Sequence, residues 1–283
     1  MHSKPQNRQL QKPLKEAFFL IKKNKRIFFL IFLLQLIFFL IVIIAGINYI
    51  PKIVENAKNM LDYSEKLGIN AENLGLDILQ QKNTFEEDQV MISRNYDSIR
   101  KNLYYLLSYI FLAFAVVNGL AWYFASNISE KKKKMFSLKN ILIYLLKFFV
   151  LSAVLGIFLC LLAYSIIKVF LSGYVSVNPI NFLVLLLGSV LMIYFIYIGI
   201  PLLNFIRLKD LPKKILLLGI KRFVQLMGSY LLVIIFIAAS LLLISYLVEL
   251  NLLLLLIAVL FSVSVFAWAK IYFSATVEKL SGL

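Results

Sequence analysis

The residues that could catalyse a reaction or bind a metal are few and scattered in this chain. It has one histidine, His2, and one cysteine, Cys160, so a zinc or other transition-metal site of the His/Cys type is not expected. The sequence contains no GxSxG, P-loop or HExxH motif and no paired aspartates. We therefore predict a protein that is not an enzyme, with no catalytic residues, no cofactor-binding residues and no metal ligands.

Five polar residues within or beside long apolar runs are the remaining candidates for a functional site: Gln35, Asn118, Lys168, Asn204 and Glu249. Gln35 and Asn118 each lie about eight or nine residues from the inner end of their runs. Their amides are therefore expected to hydrogen-bond across a helical hairpin, which contributes roughly 0.6–2 kcal/mol in a membrane. A polar ligand site at the same pair is the alternative.

The other three candidates lie near the ends of apolar runs. Lys168 and Glu249 are expected near the outer surface, where they form an ion pair or where Lys168 extends to the lipid headgroups. Asn204 follows Gly199 and Pro201, which should loosen the helix, so a hinge is the functional alternative to a tolerated kink. The apolar runs contain no aspartate, and proton-coupled or ion-coupled pumps normally keep acidic residues at mid-membrane. This composition disfavours active transport.

The elements that position these residues are six apolar runs of 22–25 residues. The chain is 61% hydrophobic and its mean hydropathy is +0.87, which is outside the range of soluble domains. A bilayer core of about 30 Å needs about 20 helical residues, and continuous rather than alternating apolar runs indicate helices. The predicted fold is all-α, a polytopic membrane protein. Its predicted spans are 27–50, 103–125, 148–171, 182–206, 226–247 and 252–273.

The distribution of charge predicts the topology. With Lys147 and Lys270 counted on the inner side, the inner segments carry 22 Lys and Arg against 4 acidic residues, and the outer segments carry 8 against 10. This positive-inside bias predicts a protein of the cell membrane with both termini in the cytoplasm. The inner segments are 1–26, 126–147, 207–225 and 274–283.

The net charge of +16 first suggests an anionic partner. Because most of the basic residues are explained by topology, we expect them to contact the anionic headgroups of membrane lipids. Binding to nucleic acid is not expected.

A short phrase occurs three times, at 13–23 (PLKEAFFLIKK), 137–147 (SLKNILIYLLK) and 212–222 (PKKILLLGIKR), each just before a predicted span. Lys15 and Lys139 are 124 residues apart, and Lys139 and Lys214 are 75 apart. Removing the polar segment 51–102, of 52 residues, reduces the first interval to 72. The pattern predicts three related helical hairpins with an insertion in the first.

Each copy of the phrase is expected to form a short amphipathic segment in the inner headgroup plane, with lysines directed to phosphate. The alternative is a ragged start of the following span. For the second copy, a run counted from Ile141 would be about 30 residues, too long for one untilted crossing. We therefore expect a break near Lys147, which places this lysine at the interface.

The insertion 51–102 is predicted to form an antiparallel helical pair that extends from the first two spans. One apolar seam has a 4-3-4-3 spacing and the other a 4-3-4 spacing, as in facing helices. Thr84 and Glu87 form a capping box for the returning helix. We expect a protein partner to bind here. The seams are Ile53, Ala57, Met60, Ser64 and Leu67, and Ile92, Tyr96, Ile99 and Leu103.

Small and aromatic residues predict how the spans pack. Ala115 with Gly119, and Ser152, Gly156 and Cys160 at four-residue spacing, should allow close approach of helices. Aromatic residues at the predicted ends of spans are expected to form belts at the two interfaces. They are Trp122, Tyr123, Trp268 and Tyr272 on the inner side and Tyr104, Tyr105, Tyr174 and Tyr246 on the outer side.

The order of a span, the segment PKKILLLGIKRF and a further span resembles a broad group of prokaryotic six-span proteins. Their relatives include the membrane domain attached to some glycerophosphodiester phosphodiesterases. In those families a kinked span precedes a lysine-bearing amphipathic segment and another hairpin. The resemblance implies a membrane layout only, because this sequence shows neither the phosphodiesterase domain nor its metal-binding carboxylates.

Two functions remain open from the sequence. The first is a non-enzymatic scaffold or interaction protein that engages lipid or protein partners through its outer helical segment. The alternative is a transporter or channel for a small solute, with its path between the hairpins.

Overall fold

The computed structural model describes residues 7–66, 86–128, 137–171, 179–248 and 251–282, and these residues are helical with no β-strand. The prediction of an all-α membrane fold is confirmed. The helices are α1 Asn7–Lys23, α2 Lys25–Lys66, α3 Glu86–Ala113, a π-turn Phe114–Asn118, α4 Gly119–Ser126, α5 Leu138–Leu171, α6 Pro179–Leu202, a 3-10 turn Leu208–Asp210, α7 Leu211–Lys221, α8 Phe223–Leu247 and α9 Leu252–Ser281.

Five helical stretches in the described residues are long and apolar enough to cross a membrane. The predicted fourth span corresponds to α6, of 24 residues, in which Leu187–Leu202 is a shorter apolar stretch. The five longer stretches are Lys25–Tyr63, Val90–Ser126, Leu138–Leu162, Phe223–Leu247 and Leu252–Ser281.

The helices associate as neighbouring pairs in chain order: α2 packs against α3, α5 against α6, and α8 against α9. Within the last pair, Ser262 Oγ donates to the Ser240 carbonyl at 3.0 Å. Helix α9 also contacts α1, α2, α4 and α6, so it lies at the centre of the bundle.

Two of the three copies of the repeated phrase form separate short helices. The first ends α1, and the third coincides with α7, which begins with Leu211 and Pro212 and ends before Arg222. Proline is favoured in the first turn of a helix because its missing N–H has no intrahelical partner there.

The second copy does not form a separate segment. The expected break near Lys147 is wrong, because α5 is one helix of 34 residues. Lys147 Nζ donates hydrogen bonds to the carbonyls of Leu203 at 2.9 Å and Ile206 at 3.0 Å. The ammonium is therefore accommodated by protein carbonyls, and the chain does not need to bring it to the headgroups.

The fourth helix ends earlier than the predicted residue 206. Helix α6 ends at Leu202, immediately after Pro201, and the next residues form turns. Proline has no N–H to donate, which favours the end of a helix over its continuation. Asn204 therefore lies beyond the helix and is not at a kink within it.

Helices α2 and α3 pack against each other as a pair, and the side of the membrane on which their polar ends lie stays a prediction. Their register is defined by the ring contacts of Tyr49 with Tyr105 at 6.0 Å and with Tyr109 at 5.9 Å. Helix α2 has 42 residues, or about 63 Å at 1.5 Å each, so it is about twice as long as the bilayer core is thick. The segment between the two helices, with Leu67 and Thr84, lies outside the described residues.

The predicted seams are correct only in part. Ile92 is buried and Ile53, Ala57, Met60 and Ile99 are half-buried, as expected for residues between two helices. Tyr96 and Leu103 are exposed by 56% and 44%, so the expectation that they face α2 is wrong. Their neighbours Asn95 and Asn102 are half-buried instead, so the contact face follows a 3-4-3 spacing from Ile92 and not the predicted 4-3-4; both spacings fit the 3.6-residue helical period.

The core is concentrated towards the end of the bundle where α1 and α7 lie. Trp122, Tyr123 and Tyr272 are at most 3% exposed and Trp268 is 9% exposed, so they do not form the predicted inner belt. Helix α1 packs over α8 and α9, and Phe18 contacts the ring of Trp268 at 6.2 Å. At the other end, exposed Tyr104 and Tyr105 agree with an outer belt.

Gly119 allows α4 to approach α5 closely. A Cβ added at Gly119 would lie 2.9 Å from both Leu145 Cδ2 and Phe148 Cδ1, and Phe148 is fully buried. The second predicted small-residue face is looser, because a Cβ at Gly156 meets the Phe111 ring only at 3.8 Å and Cys160 is exposed.

Gly119→Ala is expected to destabilise the fold by about 1–3 kcal/mol, because the buried Phe148 ring cannot move to admit the methyl group. Gly188→Ala is the matched control, since nothing lies within 4 Å of a Cβ there. The control should be neutral or stabilising by up to about 1 kcal/mol, the helix propensity gained. Thermal unfolding in detergent compares the two; equal behaviour of the two variants would contradict the close approach.

Candidate functional site

Three polar side chains from three helices meet in the interior of the bundle: Lys270 of α9, Gln35 of α2 and Asn118 at the end of the π-turn. Lys270 Nζ donates to Gln35 Oε1 at 2.7 Å, and Gln35 Nε2 donates to Asn118 Oδ1 at 3.2 Å. The exposed fractions are 5% for Lys270, 1% for Gln35 and 7% for Asn118. We call these three residues the interior polar cluster. The predicted hydrogen bond between the two amides is present, and a lysine that was not predicted lies at its end.

Apolar and aromatic surfaces enclose the ammonium of Lys270. Its Nζ lies 5.6 Å from the centroid of the Trp122 ring and 6.0 Å from that of Phe266. A cation over the face of an aromatic ring is attracted by the quadrupole of the ring. No ion pair with Lys270 exists among the described residues. The positive charge is therefore held by one amide oxygen and two rings.

The π-turn Phe114–Asn118 determines which side chains face this cluster. Gly119 N–H bonds to the Phe114 carbonyl, five residues back, instead of closing an ordinary α-helical turn. One additional residue rotates everything after it by about 100° relative to a continuous α-helix. Asn118 and Trp122, one turn apart, thereby share the face towards α2 and α9. The sequence signal is weak: Val116, Val117 and Gly119 are poorer helix formers than leucine or alanine.

From the sequence Lys270 counts only as an inner charge, because it lies three residues before the predicted end of the sixth span at residue 273. In the structure α9 continues to Ser281, eleven residues or about 16 Å beyond Lys270. The residues after it, including Ile271, Tyr272 and Phe273, are fully buried. A signal was available in the sequence: apolar and small residues continue past Lys270 to Val277, so the lysine is internal to the run.

A second group of polar contacts holds the end of α6. Besides the two bonds from Lys147, Tyr144 OH donates to the Ile200 carbonyl at 3.2 Å. Asn204 Nδ2 donates to Ser126 Oγ, which in turn donates to the Trp122 carbonyl at 2.8 Å. The carbonyl of Ile200 in the last turn of α6 and two carbonyls in the turns just after it thus obtain donors from α5, and a cation there also complements the helix dipole. This second group of polar contacts joins α4, α5 and the end of α6.

The remaining predicted candidates are not brought into either group by the described residues. Lys168 lies within α5, but its side chain is outside the described part of the structure, as is all of Glu249. Their suggested ion pair stays a prediction. In the described ranges no group of three or more His, Cys, Asp or Glu side chains is placed to hold a metal ion.

Comparison with known proteins returns no relative. No family model matches the chain, and no curated protein and no solved structure is similar to it. The resemblance to the membrane domain of glycerophosphodiester phosphodiesterases therefore stays a prediction. Five apolar helices support a membrane-spanning protein. Its interior polar cluster lies between α2, the π-turn and α9.

Proposed function

We propose that this protein is a non-enzymatic interaction protein of the cell membrane that engages a partner through its outer helical pair. The observation that carries the proposal is an apolar face on α3 that α2 does not cover. Tyr96, Leu103 and Leu107, at spacings of seven and four residues, are exposed by 56%, 44% and 52%. Such spacing aligns side chains on one face of a helix and suits an apolar helix of a partner.

This face runs from the outer end of the predicted second span into the outer pair. Leu107 belongs to the predicted span and Tyr96 to the outer segment, so one continuous helix presents both. Lipid covers an exposed leucine within the membrane, but it cannot cover Tyr96 outside it. A partner that also spans the membrane would cover the whole face. Arg100, paired with Asp97 at 3.1 Å, lies beside it as a polar rim.

The proposal includes the orientation, with both termini in the cytoplasm and the outer pair outside. The charge bias supports it. At the inner face, α1 and α7 expose Phe18 and Ile220 by 56% and 67%, beside lysines such as Lys15 and Lys221. A helix that combines exposed apolar residues with lysines suits a surface of anionic lipid headgroups. Removal of anionic lipid from reconstitution vesicles should then speed amide hydrogen exchange in α1 and α7, while the apolar spans still hold the protein in the bilayer.

A photo-crosslinking amino acid at Tyr96 tests the outer contact in native membranes. The expected result is a specific adduct with another membrane protein, both from this position and from a second variant with the crosslinker at Leu103. Arg94 is the matched control, because it is exposed on the opposite face of α3. A further change, Leu103→Asp, should reduce the yield at Tyr96 by about tenfold, which corresponds to about 1.4 kcal/mol of lost binding. Equal adducts at Tyr96 and Arg94, or none at either, would contradict the proposal.

The orientation is tested separately by thiol labelling. In a Cys160→Ser background, Arg94→Cys, on the face of α3 that the partner does not cover, should react with a membrane-impermeant maleimide on intact cells. Reaction only after lysis would place the outer pair in the cytoplasm.

A transporter for a small solute is the second candidate, and the interior polar cluster favours it. Ionisable residues inside a membrane bundle are costly and commonly belong to solute or ion pathways. Flux into liposomes distinguishes the candidates. A transporter should lose flux on Lys270→Met and keep it on Leu103→Asp.

A further inference from the structure

The cationic end of the interior polar cluster has more hydrogen-bond donors than protein acceptors. A lysine ammonium carries three N–H groups, and Lys270 gives one of them to Gln35 Oε1. Asn118 uses its oxygen to accept from Gln35, which leaves its NH₂ group as a donor. Among the described residues, Gln35 is the side chain that accepts from Lys270 Nζ, and no side chain accepts from the NH₂ group of Asn118.

The sequence supplies no carboxylate that could neutralise this cation from within the membrane. The helical segments 25–50, 103–126 and 252–277, which surround the cluster, contain no aspartate or glutamate. A buried charge normally needs a partner charge, because removal from water costs several kcal/mol for an unpaired ion. The rings of Trp122 and Phe266 offset part of that cost, but a ring quadrupole is weaker than an opposite charge.

We propose that the interior polar cluster is a binding site for one small monovalent anion, such as chloride, held by Lys270 Nζ and the amide NH₂ of Asn118. One ammonium balances one negative charge, so a monovalent anion leaves the site neutral. Burial of all three residues argues for a monatomic ion over a lipid phosphate, whose glycerol and acyl chains need an opening. Gln35 orients both donors because its two amide ends are fixed by Lys270 and Asn118.

Trp122 provides a reporter beside the site. The chain has two tryptophans, so Trp268→Phe leaves Trp122 as the only one. Its ring lies 5.6 Å from Lys270 Nζ and is 2% exposed, so halide in bulk solvent reaches it poorly. A bound bromide or iodide, in contrast, would lie near the ring and quench its fluorescence.

The full-length Trp268→Phe protein in detergent is titrated with bromide at constant ionic strength, with gluconate as the balancing anion. The expected result is saturable quenching that chloride reverses by competition. Absent quenching, or quenching that rises linearly without saturation, would overturn the proposal.

Variants separate the site from other cations. Lys270→Met should abolish the saturable quenching. Lys139→Met should retain it, because Lys139 is exposed on α5 and outside the cluster. Equal saturable quenching in folded Lys270→Met would place the anion elsewhere and overturn the assignment.

A measurement on the unmodified protein covers the case in which Lys270→Met does not fold. Saturating chloride, at about 100 times its dissociation constant, should raise the unfolding temperature by roughly 5 °C over gluconate. Bromide in crystals should give an anomalous peak within about 3.5 Å of Lys270 Nζ, a normal distance for such a contact. No anion-dependent shift, or no peak at Nζ, would overturn the proposal.

Discussion

Gln35→Leu is expected to destabilise the protein by about 2–4 kcal/mol. The change removes both the oxygen that accepts from Lys270 Nζ and the N–H that donates to Asn118 Oδ1. Individual hydrogen bonds between membrane helices contribute less, averaging about 0.6 kcal/mol. The larger value follows from the ammonium, which stays buried after its amide partner is lost. Unfolding measured in detergent by heat or by denaturant gives the size of the effect.

Two further variants identify the cause of that loss. In Gln35→Leu with Lys270→Met the unpaired charge is gone, so the double variant should be more stable than Gln35→Leu alone. Asn118→Leu removes only the oxygen that accepts from Gln35 Nε2, so it should destabilise the protein by no more than about 2 kcal/mol. If the double variant loses the sum of the two single effects, the two residues are not energetically coupled and the cluster is not a unit.

Lys147→Met is expected to cost about 2–4 kcal/mol, since hydrogen bonds to a charged donor contribute about 1.5–3 kcal/mol each before the methionine recovers part by packing. The change leaves the carbonyls of Leu203 and Ile206 without their donor at the end of α6. It also removes a cation that complements the negative end of the α6 dipole. Thermal unfolding measures the total effect.

Lys139→Met is the matched control, because Lys139 lies two turns earlier in α5 and is exposed. Its effect should stay within about 0.5 kcal/mol, as for other surface changes. Amide hydrogen exchange adds a local readout: residues 203–206 should exchange faster in Lys147→Met and unchanged in Lys139→Met. Similar stability of the two variants would mean that the carbonyl contacts of Lys147 do not hold α6.

The pattern of apolar residues was sufficient to predict most elements of the fold. Continuous apolar runs define helices and their approximate ends, and residues 51–66 and 86–102, at the two ends of the polar insertion, belong to α2 and α3. The hydrogen bond between Gln35 and Asn118 was predictable because matched depth in a hairpin follows from counting residues. Each of these predictions uses only local periodicity or position along the chain.

The failures share a different cause, since each concerns a residue whose environment comes from a helix distant in sequence. Lys147 remains within a continuous helix because carbonyls 56 and 59 residues away accept its N–H groups. Trp268 is buried because α1 and α8 pack over it, through Phe18 and Phe236. Tyr96 is exposed although it follows an apolar spacing, because α2 packs against Asn95 and not Tyr96 between Ile92 and Ile99.

The sequence by itself therefore determined that this is a helical membrane protein with a long polar insertion after its first apolar run and few residues capable of chemistry. Only the tertiary structure decided that Lys270, 235 residues from Gln35, completes a polar cluster in the interior. The reason is that hydropathy and charge act on each segment separately, whereas the partners of a buried polar group depend on which helices meet and how each is rotated. At this site, one additional residue in the π-turn determines that rotation.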